Sequence, residues 1–300
     1  MKHMIVRIVS LTLAAMFILP AIPSSAVTRF ADVSPDYWAY NEINYLVGKQ
    51  IIRGKDGKFA PEDPIKRIQA AEMLVKALGL STENRPNPNF KDMKPGDYGY
   101  QYAATLAAEG IMTGSNGYFK PWDTLTRGQM AKILSEAYDL MYAFGTNFKD
   151  VPSDSWVYDY VSCLVDNHVT TGYADNTYRP NAKLKRAQFS AFMARILDDS
   201  FKQTVLFKAL DYEWSEDGGL SLLVEIRNNY SYPVKLIKAN VAVTSNDEFI
   251  ADGTFEFNPE EIFLEAKQSQ QIVLSFPSDL VYYVTDLTDI VVYTQTEINK

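Results

Sequence analysis

The chain of 300 residues has a formal net charge of −8, and 47% of its residues are hydrophobic against 22% charged. This ordinary globular composition excludes a largely disordered chain, and the single cysteine, Cys163, excludes an intramolecular disulfide and a cysteine-based metal site. Residues 205–300 carry a net charge of −10, which argues against nucleic acid and anionic membranes as partners.

The first 26 residues have the three parts of an export signal. Lys2 and Arg7 give a positive start, an apolar run follows from Ile8 to Leu19, and Ser24-Ser25-Ala26 supplies small residues for a signal peptidase. The apolar run is too short for a comfortable membrane anchor. We therefore predict a signal peptide over residues 1–26 and a secreted mature protein without a membrane anchor.

Three repeats of about 60 residues follow, over 27–85, 86–145 and 146–204. Each opens on Phe-x-Asp and continues with a Trp or Tyr, a glycine turn and an arginine before an apolar stretch. These positions are Asp32, Asp92 and Asp150; Trp38, Tyr98 and Trp156; Gly54, Gly114 and Gly172; and Arg67, Arg127 and Arg186. We expect the glycines chiefly to supply a positive φ.

Each repeat predicts a loop, a helix, a turn and a second helix. Apolar residues recur at three-and-four spacing in both helical stretches, as at Ile43, Leu46 and Val47. One such pair of helices cannot bury its apolar face alone, so we expect the three copies to pack against one another.

The repeated Phe-x-Asp-Val opening, Trp-x-Tyr, glycine turn and Thr-Arg helix start resemble S-layer homology (SLH) domains over roughly residues 28–200. The resemblance implies a pseudo-threefold helical bundle that binds secondary cell wall polysaccharide, often pyruvylated, in grooves between repeats. It also implies that the twelve opening Asp, aromatic, Gly and Arg residues form the binding sites.

The arginines give a physical reason to expect an anion. Thr126 and Gln129 have capping-box spacing, which places Arg127 in the first turn of a helix. A cation beside the positive end of a helix dipole is unfavourable unless an anion is nearby. The alternative is structural, because each arginine could pair with the opening Asp of a repeat and brace the fold.

The repeats also depart from the family pattern. Lys66 and Lys185 replace the usual Thr before the arginine, which removes half of the capping box, and Gln69, Gln129 and Gln188 replace a Glu. We therefore expect the three grooves to differ in competence.

Residues 205–300 predict an acidic, antiparallel, immunoglobulin-like β-sandwich. Its candidate strands are Leu220–Ile226, Val234–Val243, Phe249–Phe257, Gln271–Phe276 and Ile290–Thr294. This half contains neither His nor Cys, and we expect no catalytic site, metal or cofactor.

The leading hypothesis is non-covalent anchoring of a secreted, non-enzymatic protein in the cell wall or S-layer, through anionic secondary cell wall polysaccharide. An alternative is an adhesin or S-layer assembly factor whose β domain binds another surface protein. A wall-anchored hydrolase is the third hypothesis.

Overall fold

The computed structural model describes residues 30–257 and 262–299, so the predicted signal peptide lies outside the described residues. Six α-helices occupy the three repeats, two in each. They are α1 (Tyr40–Gly48), α2 (Arg67–Ala77), α3 (Tyr100–Ala108), α4 (Arg127–Ala137), α5 (Tyr158–Asp166) and α6 (Arg186–Leu197). None of the helices in these ranges combines the length and apolarity needed to cross a bilayer.

The helices of neighbouring repeats pack in pairs that close a ring. The second helix of each repeat contacts the first helix of the next, so that α2 meets α3, α4 meets α5 and α6 returns to α1. Short backbone bridges between the segments before α2, α4 and α6 link all three repeats. The opening Phe and the aromatic that follows each glycine turn lie in one shared core, together with the apolar helix faces. The ring confirms that the three repeats form one structural unit.

The helix starts agree with the capping residues. At α4 both halves of the capping box form, since the backbone N–H of Gln129 donates to Thr126 Oγ1 at 3.2 Å and the N–H of Thr126 donates to Gln129 Oε1 at 3.1 Å. At α2 and α6 a lysine precedes the arginine and its side chain cannot accept a hydrogen bond, so only the glutamine half forms.

The C-terminal part consists of two antiparallel sheets. The strands are β1 (Val205–Trp214), β2 (Leu220–Asn228), β3 (Val234–Ser245), β4 (Glu248–Glu256), β5 (Phe263–Leu264), β6 (Ser269–Phe276) and β7 (Ile290–Asn299). One sheet has the order β1-β2-β6, and in the other β3 pairs with β4, β5 and β7. All five strands predicted from the sequence are present, whereas the immunoglobulin-like arrangement stays a prediction.

The two parts touch along α5 and β7. Gln295 Nε2 lies 3.4 Å from the carbonyl oxygen of Gly145 and 3.4 Å from Asp166 Oδ1. His168 Nε2 lies 3.4 Å from Thr294 Oγ1. Each part nevertheless buries its own apolar cluster, as expected for two domains joined at a small polar contact.

Candidate functional site

The opening aspartate of each repeat holds the turn of its own repeat. Asp32 accepts the backbone N–H groups of Phe59 and Ala60 at 2.8 and 2.7 Å, and Ala60 has a φ of +56° that costs energy for a residue with a Cβ. Burial would raise the pKa of Asp32, but its backbone hydrogen bonds and the nearby Lys58 outweigh this effect, so the net pKa is lowered. Asp92 and Asp150 make the same pair of bonds in their own repeats.

The arginine that begins each second helix donates a hydrogen bond to the glycine turn of a different repeat. Arg186 Nε donates to the carbonyl oxygen of Phe59 at 2.9 Å. The equivalent bonds run from Arg67 to Phe119 at 2.8 Å and from Arg127 to Tyr178 at 2.7 Å. Each turn aromatic is thus held at its N–H by an aspartate and at its C=O by an arginine. The arginines do brace the fold, but no direct Arg–Asp ion pair forms at these three junctions.

The turn glycines are required mainly by close packing. A Cβ on Gly54 would lie 2.4 Å from the carbonyl oxygen of Lys58 and 2.4 Å from the Phe30 ring. Gly114 and Gly172 are similarly crowded and also have positive φ values of 76° and 69°. Gly54 is not in the left-handed region, so the expectation of positive φ is wrong for this glycine, and the contact with the opening Phe ring explains it instead.

A groove with a volume of about 610 Å³ lies where all three repeats meet, and we call it groove one. Its walls are the glycine turn of the first repeat, the start of α2, the start of α3 and Arg186 of the third repeat. It therefore brings together three predicted site residues that are far apart in the chain, namely Gly54, Tyr98 and Arg186.

The lining of groove one is electropositive. Its five cationic side chains outnumber its two carboxylates, and they are Arg53, Lys55, Lys58, Lys66 and Arg186. One of the carboxylates, Glu72, is already bound by Lys76 at 2.6 Å and by the Tyr98 hydroxyl at 3.0 Å. The groove therefore offers a positive field that an anion would complement.

Arg186 has further guanidinium N–H donors in groove one besides the one at Nε. Its Nε bonds to Phe59, and none of the described residues accepts its other guanidinium N–H groups. Burial lowers the pKa of Arg186, because the surroundings solvate the cation less well than water does. A carboxylate ligand would supply the missing compensation through a two-pronged hydrogen bond.

Two exposed aromatic rings lie at the edge of groove one. Tyr98 lines the groove, and Trp122 stacks on it with ring centroids 6.0 Å apart and an interplanar angle of 17°. Both rings are 59% exposed, which is unusual for such large apolar surfaces. Trp122 was not predicted from the sequence, although it is an aromatic between Pro121 and Asp123, where the other repeats have Glu62 and Asn181.

The equivalent place at Arg127 is closed. Arg127 is only 4% exposed. Its guanidinium carbon lies 4.5 Å from the Tyr178 ring centroid, much as that of Arg186 lies 4.6 Å from the Phe59 centroid, but it also lies 4.9 Å from the Tyr173 centroid. Tyr173 directly follows the turn glycine, where the first two repeats have Lys55 and Ser115. Tyr173 therefore occupies the space that stays open above Arg186.

The remaining predicted residues follow from the pairing of the helices. Trp156 precedes α5, which packs on α4, so it belongs with Arg67; Trp38 precedes α1, which packs on α6, so it belongs with Arg127. Trp38 and Trp156 are 54% and 60% exposed. The predicted set is thus divided among three sites. Groove one has an open cavity, and its Arg186 is bonded through Nε alone, as Arg67 is in its bond to Phe119. Across residues 30–257 and 262–299, no cluster of three His, Cys, Asp or Glu residues could hold a metal.

Comparison with known proteins identifies the repeats. The family model described as S-layer homology domain matches residues 29–71, 89–131 and 147–190. Domains of this family sit at the cell surface, bind cell-wall polymers and anchor proteins to the wall without a covalent bond.

Curated relatives agree over the same region. The chain is 29% identical to an S-layer protein of Bacillus thuringiensis subsp. finitimus and 30% identical to the S-layer protein sap of Bacillus anthracis, over 57% of this chain and 22% of each relative. It is 31% identical to an uncharacterized cell wall amidase of Bacillus anthracis, over 61% of this chain and 34% of the relative. The chain thus spans only a fifth to a third of the relatives' lengths. It belongs with the S-layer homology proteins, having three such domains within residues 29–190 and a β-rich region after them.

Proposed function

We propose that groove one binds an anionic secondary cell wall polysaccharide, of the pyruvylated type, and that this contact holds the protein in the cell wall. The observation that carries the proposal is Arg186, whose guanidinium faces an open groove with only one of its N–H groups bonded. A pyruvyl ketal presents a carboxylate on a sugar ring, so an arginine beside an apolar ring matches both of its parts.

The start of α6 strengthens this match. Arg186 is the first residue of α6, where the positive end of the helix dipole favours a negative charge, while the backbone N–H groups of Arg186 and Ala187 already donate to the carbonyl oxygens of Asp63 and Pro61. Four further cations line the same groove. The anion would meet a positive field from the helix and from side chains of the first and third repeats.

The aromatic pair supplies the contact with the sugar rings. Stacked in parallel and exposed, Tyr98 and Trp122 present a flat apolar surface that continues from the groove. Sugar rings have apolar faces that pack on such surfaces, while the Tyr98 hydroxyl keeps its bond to Glu72. Groove one would hold the charged sugar of the polymer. The stacked pair of Tyr98 and Trp122, which we call the aromatic platform, would hold the neighbouring sugar.

We also propose that the chain anchors and displays, without catalysis. The β domain would then face outward and meet S-layer or other surface proteins, as an adhesin or assembly factor would. The relatives include both S-layer proteins and a cell wall amidase. Release of soluble fragments from purified walls by the purified chain would favour a hydrolase instead.

The direct test is co-sedimentation of the mature chain, from Val27 onward, with purified walls. We expect binding to walls that keep their polysaccharide and loss of binding after mild acid has removed it. Walls stripped of pyruvyl groups alone should bind at least tenfold more weakly, since a charge-assisted hydrogen bond contributes about 1.5–3 kcal/mol. Equal binding to stripped peptidoglycan would contradict the proposal.

A further inference from the structure

Two of the open sheet edges of the β domain, those of β1 and β4, are protected. The β1 edge has a bulge between Ala209 and Asp211 and carries Lys208 and Glu213. The edge of β4 is covered in part, because the backbone N–H of Tyr282 donates to the carbonyl oxygen of Ile250 at 2.8 Å. Bulges, charges and covering segments are the usual means by which proteins keep edges from pairing with other chains.

The edge of β6 lacks this protection. Its sequence, SQQIVLSF, has no charged residue, proline or glycine over Ser269–Phe276. β6 pairs with β2 along one side, and no other described strand pairs with it. Five of its eight residues are exposed, and Val273 has 60% of its surface accessible to solvent. The strand therefore offers unpaired backbone groups along about 27 Å of accessible edge.

The uncharged sequence of β6 contrasts with the strongly acidic β domain to which it belongs. Residues 205–300 carry a net charge of −10, so two copies repel each other over most of their surfaces. Charged residues flank β6 at Glu265, Lys267 and Asp279 but do not occur within it. An uncharged edge in such a domain is the place where two copies approach with the least repulsion.

We propose that β6 pairs antiparallel with β6 of a second copy of this chain, joining two three-stranded sheets into one of six strands. A twofold axis makes such a contact self-complementary, because each strand supplies the same donors and acceptors to the other. Outside the new ladder, Val273 and its cross-strand neighbour Leu223 would meet their counterparts on the same sheet face. This inference concerns the β domain and does not depend on groove one.

Sedimentation velocity of the mature chain, from low concentration to about 100 µM, tests the proposal. We expect a concentration-dependent dimer. Val273→Lys should weaken dimerisation severalfold, because equal charges would then face each other across the ladder. The matched control is Leu210→Lys, which places the same charge at a 43% exposed apolar residue of the opposite edge strand and should leave the dimer unchanged.

Folding of the variants is checked by circular dichroism. If Val273→Lys does not fold, Ser275→Lys replaces it, since Ser275 is an exposed residue of β6 opposite Ser221 and adds an unpaired charge to the same edge. A mature chain that stays monomeric over the whole range would overturn the proposal. So would a dimer that the lysine variant of β6 leaves intact, which would place the interface elsewhere.

Discussion

Arg186 and Arg127 occupy the same position in two repeats, yet they lie in different environments. Both donate Nε to the carbonyl oxygen of a turn aromatic, at 2.9 and 2.7 Å. Arg186 faces an open groove, whereas Arg127 is 4% exposed beneath Tyr173. The brace is thus common to both arginines, and Tyr173, the residue after the third turn glycine, covers Arg127 alone of these two.

The largest effect is expected from closing groove one at its turn. Gly54→Ala would place a Cβ 2.4 Å from the carbonyl oxygen of Lys58, so the turn must move. Overpacking of this kind costs about 3 kcal/mol of the free energy of unfolding, and wall binding should fall with it. Denaturant unfolding and wall sedimentation measure the two effects.

Gly48→Ala is the matched control for this substitution. No atom lies within 4 Å of a Cβ added at Gly48, which is the last residue of α1. Stability should stay equal or rise by about 0.5 kcal/mol, with unchanged wall binding. Equal losses in the two variants would show that the fit at Gly54 is not special.

Lowering the pH should reduce the free energy of unfolding without a matching change in wall binding. Burial, helped by Lys202, lowers the pKa of His168 to about 4. The unfolded chain therefore takes up a proton at higher pH than the folded one, so stability is full above about pH 6.5 and is lost as the pH falls toward 4. We expect a loss of about 2 kcal/mol between pH 7 and 5 from this group.

The variant His168→Asn tests the assignment, because asparagine tolerates the positive φ of 58° found there. Its unfolding free energy should depend less on pH over this range. Wall binding should not follow the same titration, since His168 does not line groove one. An unchanged pH dependence in the variant would assign the effect to other groups.

Removing the Tyr173 ring should make Arg127 accessible to a ligand, as Arg186 is. Tyr173→Ser introduces the type of residue that the second repeat has at Ser115 and removes the ring from Arg127 and Arg179. The loss of these cation–π contacts should lower stability by about 1 kcal/mol. Calorimetry with a soluble polysaccharide fragment should then show an additional binding site. An unchanged number of sites would mean that Tyr173 does not act as the barrier.

The smallest effect is expected at the aromatic platform. Trp122→Ala should weaken wall binding severalfold, by about 1 kcal/mol, with little change in stability because the ring is 59% exposed. Trp38→Ala removes a similarly exposed ring that belongs with the closed Arg127 junction. Wall affinities that fall equally in both variants would contradict the assignment of the platform to groove one.

The sequence predicted those features of the helical part that depend on local pattern. The helices α2, α4 and α6 begin at Arg67, Arg127 and Arg186, because apolar spacing and capping residues lie next to one another in the chain. The missing half of the capping box before Arg67 and Arg186 was predicted for the same reason.

Contacts between repeats could not be predicted from that local pattern. Arg186 donates a hydrogen bond to Phe59, 127 residues away in the chain, and the periodicity does not predict which repeat supplies this partner. The role of Tyr173 as a cover and the stacking of Trp122 on Tyr98 both follow from packing across the ring. In the β domain, the two-residue strand β5 was too short to give a periodic signal.

The most direct test of the account compares Arg186→Ala with Arg127→Ala in wall binding, at a temperature where both variants are folded. We expect Arg186→Ala to weaken binding tenfold or more, which corresponds to the loss of about 1.5–3 kcal/mol from a charge-assisted contact. Arg127→Ala should mainly lower the unfolding free energy, because it leaves the buried carbonyl of Tyr178 without its donor. Weaker binding in Arg127→Ala, with Arg186→Ala unaffected, would contradict the assignment of groove one as the binding site.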